Sequence, residues 1–256
     1  NSQEAINQRL AGALQYNKNF SFKKQDLLDD LSEYKDVDMI VHLAAEVGYI
    51  ACDDNPGQCM KTNVDGVKKI AELNRPTIFL STGSVYGKLD QPCVETLDCN
   101  PATLYAKSKL QGEDITDWTI LRPATAYGLS FKMRHDLLIH TLCRDAVKSG
   151  FIQLYQPKAQ RTFYHVNDLA NTICYIVDNF KQFNGGTFNL GAENLNITKE
   201  DIVKEIQKHI ELKLEIVEDE DRDKRDYYVD YSKQNQFFKV ESQLDIAGII
   251  KYYQGY

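Results

Sequence analysis

Thr77-Ile78-Phe79-Leu80 is a short run, β-branched or aromatic at three of its four positions, that breaks at once into Ser81-Thr82-Gly83-Ser84-Val85-Tyr86-Gly87. A run this short and apolar reads as a buried strand that delivers Ser81 and Thr82 at its carboxyl end. Val37–Ala45, Trp118–Pro123 and Thr187–Gly191 are built alike, and helical spacing falls between them. Strands alternating with helices predict an α/β protein with an open sheet, and in such sheets ligands gather beyond the carboxyl ends of the strands.

Downstream of Ser81 comes Tyr105-Ala106-Lys107-Ser108-Lys109. Tyr105 and Lys109 are four apart, so on a helix they share a face and can act on one small volume. With 15 tyrosines in the chain, a single Y-x-x-x-K is expected about once by chance, so the spacing alone says little. Joined to a strand that ends on hydroxyls it says more. A hydroxyl, a phenol and an ammonium at one point suit proton transfer at a secondary alcohol: nearby positive charge favours the ionised phenol, which takes the proton while a hydride leaves carbon.

Composition closes other routes. The net charge of −7 disfavours a nucleic-acid or anionic-membrane surface. No apolar run approaches membrane-spanning length, and no signal peptide is visible. The six cysteines show no C-x-x-C spacing, so the expectation is neither a metal site nor a redox pair but buried reduced thiols in a cytoplasmic protein.

Along the chain, Ile6, Leu10 and Leu14 fall at helical spacing, and Phe20-Ser21-Phe22 suggests a short strand. Asn55-Pro56 signals a turn or helix start, before a helix through Asn63, Val64, Val67 and Ile70. A helix through Leu137, Leu138, Thr141, Leu142 and Ala146 stops at Gly150, and Ile152–Tyr155 reads as a strand. Thr198 with Asp201 three residues on is a capping box. Glu218–Asp226 is a charged loop, the usual mark of a solvated segment.

These motifs, in this order, resemble the extended short-chain dehydrogenase/reductase family, and within it the nucleotide-sugar epimerases and dehydratases. The resemblance rests on S-T-G-S-V-Y-G and Y-A-K-S-K, on H-L-A-A at His42–Ala45 and N-V-D-G at Asn63–Gly66. It extends to I-L-R-P-A-T-A-Y-G at Ile120–Gly128, R-T-F-Y-H-V-N-D-L-A at Arg161–Ala170 and T-F-N-L-G at Thr187–Gly191. It implies a Rossmann-type doubly wound parallel sheet with a smaller α/β substrate lobe, split as residues 1–128 and 129–256, with 161–191 packing back on the first part. It implies NAD, NADP not being distinguished, a nucleotide-diphosphate sugar as substrate, and a homodimer. Thr82, Tyr105 and Lys109 match the catalytic positions. Asp26, Leu27, Leu43, Ala44, Ala45, Asn63 and Pro123, with Tyr105 and Lys109, match positions that hold the dinucleotide. Ser84, Thr125, Arg161 and Arg225, with Arg222 close behind, match the substrate side; the arginines suit a diphosphate because a guanidinium binds in a fork. His165 is expected to be structural. Family dehydratases place Asp-Glu directly after the catalytic Thr, and the reductase-epimerases place Cys where Ser84 stands. This chain has Gly83-Ser84, so epimerisation is the expected reaction.

Two departures stand out. The chain contains no G-x-x-G-x-x-G, the loop that sets a helix N-terminus under a dinucleotide pyrophosphate. By resemblance Asn1 falls just after the family's second strand, so roughly the first thirty residues of a βαβ unit are expected to lie outside this sequence. The crossovers from Asn63 to Thr82 and from Lys109 to Trp118 both look short, the second with only eight residues between its ends where about a dozen or more are needed, so internal residues are expected to be missing as well. The alternative expectations are a nucleotide-sugar dehydratase or reductase of the same family, or a non-catalytic dinucleotide or nucleotide-sugar binding protein that has lost the glycine-rich loop.

Overall fold

A computed structural model describes residues 11–12, 19–89, 91–115, 117–218 and 226–255. The first strand, β1 (Ile40–His42), pairs in parallel with β2 (Thr77–Leu80), and β2 pairs in parallel with β3 (Thr119–Pro123). After β3 the chain leaves this sheet through β4 (Thr125–Tyr127), β5 (Phe151–Tyr155) and β6 (Gln160–His165), then returns as β7 (Thr187–Leu190), parallel to β3. The order is β1-β2-β3-β7. Thr77, Ile78 and Phe79 are all buried, as a parallel strand covered on both faces must be.

Helices cover the sheet. Between β1 and β2 lie α1 (Tyr49–Asp54), α2 (Pro56–Met60), a π-helical turn over Lys61–Asp65, and α3 (Gly66–Ala71). Asn55 caps α2, its side chain accepting from the Gln58 amide, with Pro56 at the first helical position. Between β2 and β3 lies α4 (Leu104–Glu113). This corrects the expectation of a shortened crossover: the connection between those strands runs from Ser81 to Trp118, and the Y-x-x-x-K helix is itself its helical part.

The second lobe packs α5 (Leu138–Ser149) against α7 (Lys199–Gln207) and α9 (Ile246–Gln254), over a core of Ile139, Leu142, Ile152, Phe163, Ile202 and Ile249. Gly150 ends α5 in the left-handed region at φ 61°, and the Thr198–Asp201 box caps α7. Strand β6 lies between β4 and β8 (Asn196–Thr198), and β5 pairs with β9 (Lys213–Val217). A separate core around Ile78, Tyr86, Leu121, Phe188 and Tyr231 fills the space under the parallel sheet. The helix α6 (Val166–Asp178) and the short α8 (Ser232–Asn235) complete the α-helices among the described residues.

Three expectations change. Phe20-Ser21-Phe22 is no strand: it has no ladder partner among the described residues, and both rings are exposed. The Val37–Ala45 run is a strand only over Ile40–His42, the length that pairs with Thr77–Phe79. Cys52 and Cys59, read as reduced thiols, are joined as a disulfide. The turn at Asn55-Pro56 brings α1 and α2 together with their Cα atoms 5.1 Å apart, within bridging distance despite the absence of a C-x-x-C. Cys93, Cys99, Cys143 and Cys174 are free. The expected helix through Ile6, Leu10 and Leu14 lies outside the described residues.

Candidate active site

Helix α4 starts where Thr103 Oγ1 accepts from the Ala106 amide at 3.2 Å. Its buried face carries Ser108, Lys109, Gly112 and Glu113, while Tyr105 is half-buried one turn before Lys109. Gly112 lets the helix come down on the sheet: a Cβ there would meet Phe79 Cζ at 2.8 Å. Lys109 Nζ consequently sits 4.1 Å from the centre of the Phe79 ring, which also stacks on His42 at 5.7 Å and meets Trp118 at 6.3 Å. Burial pushes the Lys109 ammonium down to about 7, and the Glu113 charge opposes that fall. His42 is pushed down to about 4, first by burial and then by Lys109.

Beyond β2, Ser81 N–H donates to the Leu121 carbonyl at 2.7 Å, extending the ladder one residue. Thr82 then turns the chain: its Oγ1 accepts from the Ser84 amide at 3.2 Å and caps a 3-10 turn over Gly83–Tyr86, which packs against α4. The strand that carries Thr82 and the helix that carries Tyr105 and Lys109 are thereby in direct contact.

Asn63, buried in the π-helical turn, ties the loop after β1 to α4. Its Oδ1 accepts from the Glu46 amide at 2.8 Å, and its Nδ2 donates to the Glu46 carbonyl and to Ser108 Oγ, both at 2.9 Å. Ser108 Oγ donates in turn to the Tyr105 carbonyl at 2.8 Å. Gly66, one residue beyond the π-helical turn, leaves room for Leu27: a Cβ at Gly66 would lie 2.3 Å from Leu27 Cδ2.

Asp26, Leu27 and Ala44 line one hollow of about 410 Å³, with Leu31, Tyr34 and Ile70 among its walls. Asp26 Oδ1 accepts from the Leu28 amide at 2.9 Å. Leu43 is exposed beside the hollow and Ala45 is half-buried. Pro123 closes β3 next to the Thr82 turn, its carbonyl 3.4 Å from where a Gly83 Cβ would stand. On the substrate side Ser84 is half-buried beside Thr82, Thr125 opens β4 opposite Phe163, and Arg161 is buried on β6, its Nη1 donating to the Gln160 carbonyl at 2.9 Å. Thr125 and Arg161 thus lie on neighbouring strands. Arg225 and Arg222 are outside the described residues. His165 Nδ1 accepts from the Asn167 amide at 3.3 Å, capping α6, and its ring meets Tyr127 edge-on at 5.3 Å. That is a structural placement.

Several side chains here escaped the sequence reading. Arg134 brings Nη2 within 3.4 Å of a Cβ position at Gly48; its bonds to Asp136 come first in raising its affinity for a proton, and the Tyr105 charge adds to this. Glu113 and Arg122 form a buried ion pair behind the Thr82 turn. The signal for Glu113 was present, since it continues the four-residue spacing of Tyr105 and Lys109. Among the described residues no cluster of His, Cys, Asp or Glu could hold a metal ion, and no helix is long and apolar enough to cross a membrane.

A parallel sheet with hydroxyls at one strand end and a Tyr–Lys helix packed across it defines a dinucleotide-fold protein of the short-chain type. Residues 4–191 match the NAD dependent epimerase/dehydratase family, and the chain belongs to it. Among curated relatives, Bacillus subtilis YtcB, named an uncharacterized UDP-glucose epimerase, is 28% identical over 71% of this chain and 63% of its own length. A UDP-glucuronate 4-epimerase of Thermodesulfobacterium geofontis is 23% identical over 93% of this chain and 79% of its own. The chain thus spans less than two thirds of the Bacillus subtilis relative. Among solved structures, the UDP-glucuronic acid 4-epimerase of Bacillus cereus, in complex with UDP-glucuronic acid and NAD, superposes with a TM-score of 0.82 at 22% identity, over 95% of this chain and 84% of that one. RMD of Pseudomonas aeruginosa with NADPH gives 0.79 at 18% identity, over 96% and 95%.

Proposed function

We propose that the protein interconverts epimers of a nucleotide-diphosphate sugar by way of a transient keto sugar, with NAD bound beyond the carboxyl ends of β1, β2 and β3. The observation that carries this is the seating of Tyr105 and Lys109 on the face of α4 that meets the end of β2, where Thr82 stands. A hollow of about 410 Å³ with apolar walls and Asp26 at its edge fits a planar base and its ribose. Asp26, Leu27, Leu43, Ala44 and Ala45 would hold that half, Pro123 and Lys109 the other, and Asn63 would hold the Glu46 backbone beside it. Bound there, the dinucleotide supplies a reversible acceptor for the hydride of a sugar carbon. Tyr105 takes the hydroxyl proton, the Lys109 charge favours its ionised form, and Thr82 hydrogen-bonds the reacting oxygen. Once the keto sugar has turned over, the hydride would return to the opposite face of the same carbon while Tyr105 returns the proton to its oxygen, and the opposite configuration results.

Gly83-Ser84 supports epimerisation over dehydration, since no carboxylate follows Thr82 to move a second proton. Curated relatives whose printed names give UDP-glucose or UDP-glucuronate make a UDP sugar the first choice of substrate. Ser84 and Thr125 would face the sugar, and Arg161 and Arg225 the diphosphate, from a lobe that we place at 129–256 against a dinucleotide part at 1–128. A homodimer in the cytoplasm goes with this reading as what the family resemblance implies.

The test incubates the protein and NAD with UDP-glucose, UDP-glucuronic acid and UDP-N-acetylglucosamine and follows the sugar ring by proton NMR. One of these is expected to give its 4-epimer, and Tyr105→Phe is expected to lower kcat by about 10²–10⁴ with an unchanged melting temperature. A 4-keto-6-deoxy product overturns epimerisation, and full turnover by Tyr105→Phe overturns the site.

A further inference from the structure

Glu113 is a carboxylate with almost no water around it. Its side chain is 4% exposed and that of Arg122 8%. Arg122 Nε donates to both carboxylate oxygens, at 3.1 and 3.2 Å, and Nη2 donates to Oε2 at 2.5 Å. The Ser81 hydroxyl donates a short hydrogen bond to the same carboxylate. On its far side Arg122 Nη1 donates to Tyr86 Oη at 3.0 Å, and Tyr86 donates to Asn189 Oδ1 on β7 at 2.7 Å.

A buried ion pair is a poor device for stability, because desolvating two charges costs about as much as their attraction returns. Its placement suggests another use. Ser81 directly precedes Thr82, Arg122 directly precedes Pro123, Tyr86 ends the turn that Thr82 caps, and Glu113 is one turn beyond Lys109. Every group holding the carboxylate is therefore adjacent to, or within a turn of, a position of the active site. Resting on the epimerase reading above, we propose that Glu113 is a positioning residue: held by Ser81 and Arg122, it locks the helix of Tyr105 and Lys109 in register with the ends of β2 and β3.

A second consequence concerns charge. Lys109 is buried, with Phe79 and His42 on its sheet side and Tyr105 and Glu113 on its own helix. Glu113 itself faces Ser81 from just beyond β2, Arg122 from β3 and Cys99 from the loop before α4. Glu113 opposes the effect of burial on Lys109, so removing its charge makes the ammonium lose its proton at a lower pH.

The test combines turnover with a titration that needs no turnover. In protein labelled with ¹³C at lysine Cε, the Lys109 signal, assigned with Lys109→Arg, is followed against pH in the unaltered protein and in Glu113→Gln. Kinetics use the sugar nucleotide turned over in the panel above. The expected result for Glu113→Gln is a Lys109 midpoint about one pH unit lower, the alkaline limb of kcat moved the same way, and kcat about 100-fold down with KM for the sugar nucleotide within about twofold. Ser81→Ala keeps the ion pair and serves if Glu113→Gln does not fold; kcat is expected to fall about tenfold at unchanged KM. Glu113→Asp, which keeps the charge, is expected to restore the midpoint. A Lys109 midpoint unmoved in Glu113→Gln, or a kcat unmoved in Ser81→Ala, overturns the proposal. A protein that turns over no sugar nucleotide, yet shows the shifted midpoint, instead overturns the epimerase reading and leaves Glu113 controlling Lys109.

Discussion

Asn63 shows how one side chain can govern a site that it does not enter. Its amide satisfies both backbone groups of Glu46 and reaches Ser108 on α4, three bonds that only a group with both donor and acceptor can make. Asn63→Asp keeps the shape and the acceptor but loses the donor, leaving the Glu46 carbonyl and Ser108 without it. Losing a buried bond of this kind costs about 1–3 kcal/mol. Because Ala44 and Ala45 lie on the loop that Asn63 holds, the cost is expected in the affinity for dinucleotide. Quenching of protein fluorescence by NADH should show a Kd at least about tenfold weaker; an unchanged Kd would mean that the loop holds itself. The N-V-D-G run marked the residue, but not its reach to Ser108, which lies 45 positions away.

Contact between α4 and the sheet is an element-scale property, and it depends on Gly112. With no Cβ there, the Phe79 ring rises against the helix and meets Lys109 as well as His42. Gly112→Ala would add helix propensity worth about 1 kcal/mol. It would also place a methyl 2.8 Å from Phe79 Cζ and 3.4 Å from Val67 Cγ2. Overpacking of this kind costs about 1–3 kcal/mol and should win, because Phe79 is fully buried and cannot swing clear. A lower urea midpoint at unchanged slope is expected; a stabilised protein would show that the helix can ride up without loss. From the sequence alone α4 was legible as the Tyr–Lys helix, but its role as the crossover between β2 and β3 was not. Nothing local to Lys109 says which strand the chain has just left.

Across the whole molecule, two buried imidazoles contribute to the response to mild acid. His42 and His140 lie under different lobes and both are pushed down to about 4, chiefly by burial, to which Lys109 adds at His42 and His135 at His140, where Asp136 opposes. Unfolding releases them to the ordinary value of 6.5. Between those values the unfolded chain binds protons that the folded chain does not, so their contribution is complete above about 6.5 and is lost as pH falls towards about 4. From pH 7 to pH 5 each should cost about 2 kcal/mol. His140→Gln, whose amide oxygen can still accept from the Gly128 N–H that His140 Nε2 holds at 3.2 Å, is expected to shrink the drop in urea midpoint between those two pH values. An undiminished drop would exclude His140 as a source.

What the sequence determined by itself is short in range. A four-residue apolar run ending in hydroxyls, a Tyr and a Lys one turn apart, Asn55-Pro56, Thr198 with Asp201, and Gly150 after a helix are each settled by neighbours within a turn or a strand. Motif order then placed the chain in its family. Other matters needed the tertiary structure. Phe20-Ser21-Phe22 has strand composition but no ladder partner among the described residues, and a strand exists only where another chain segment shares its hydrogen bonds. Cys52 and Cys59 lack a recognised spacing, yet the turn between α1 and α2 brings their Cα atoms to 5.1 Å. Glu113 could pass for a surface charge on a helix until β2 and β3 close over it and bring Ser81 and Arg122 to its carboxylate. Local pattern follows from steric and hydrogen-bonding preferences of adjacent residues; which charge is buried, and against what, depends on which elements meet, and that is a property of the packed whole.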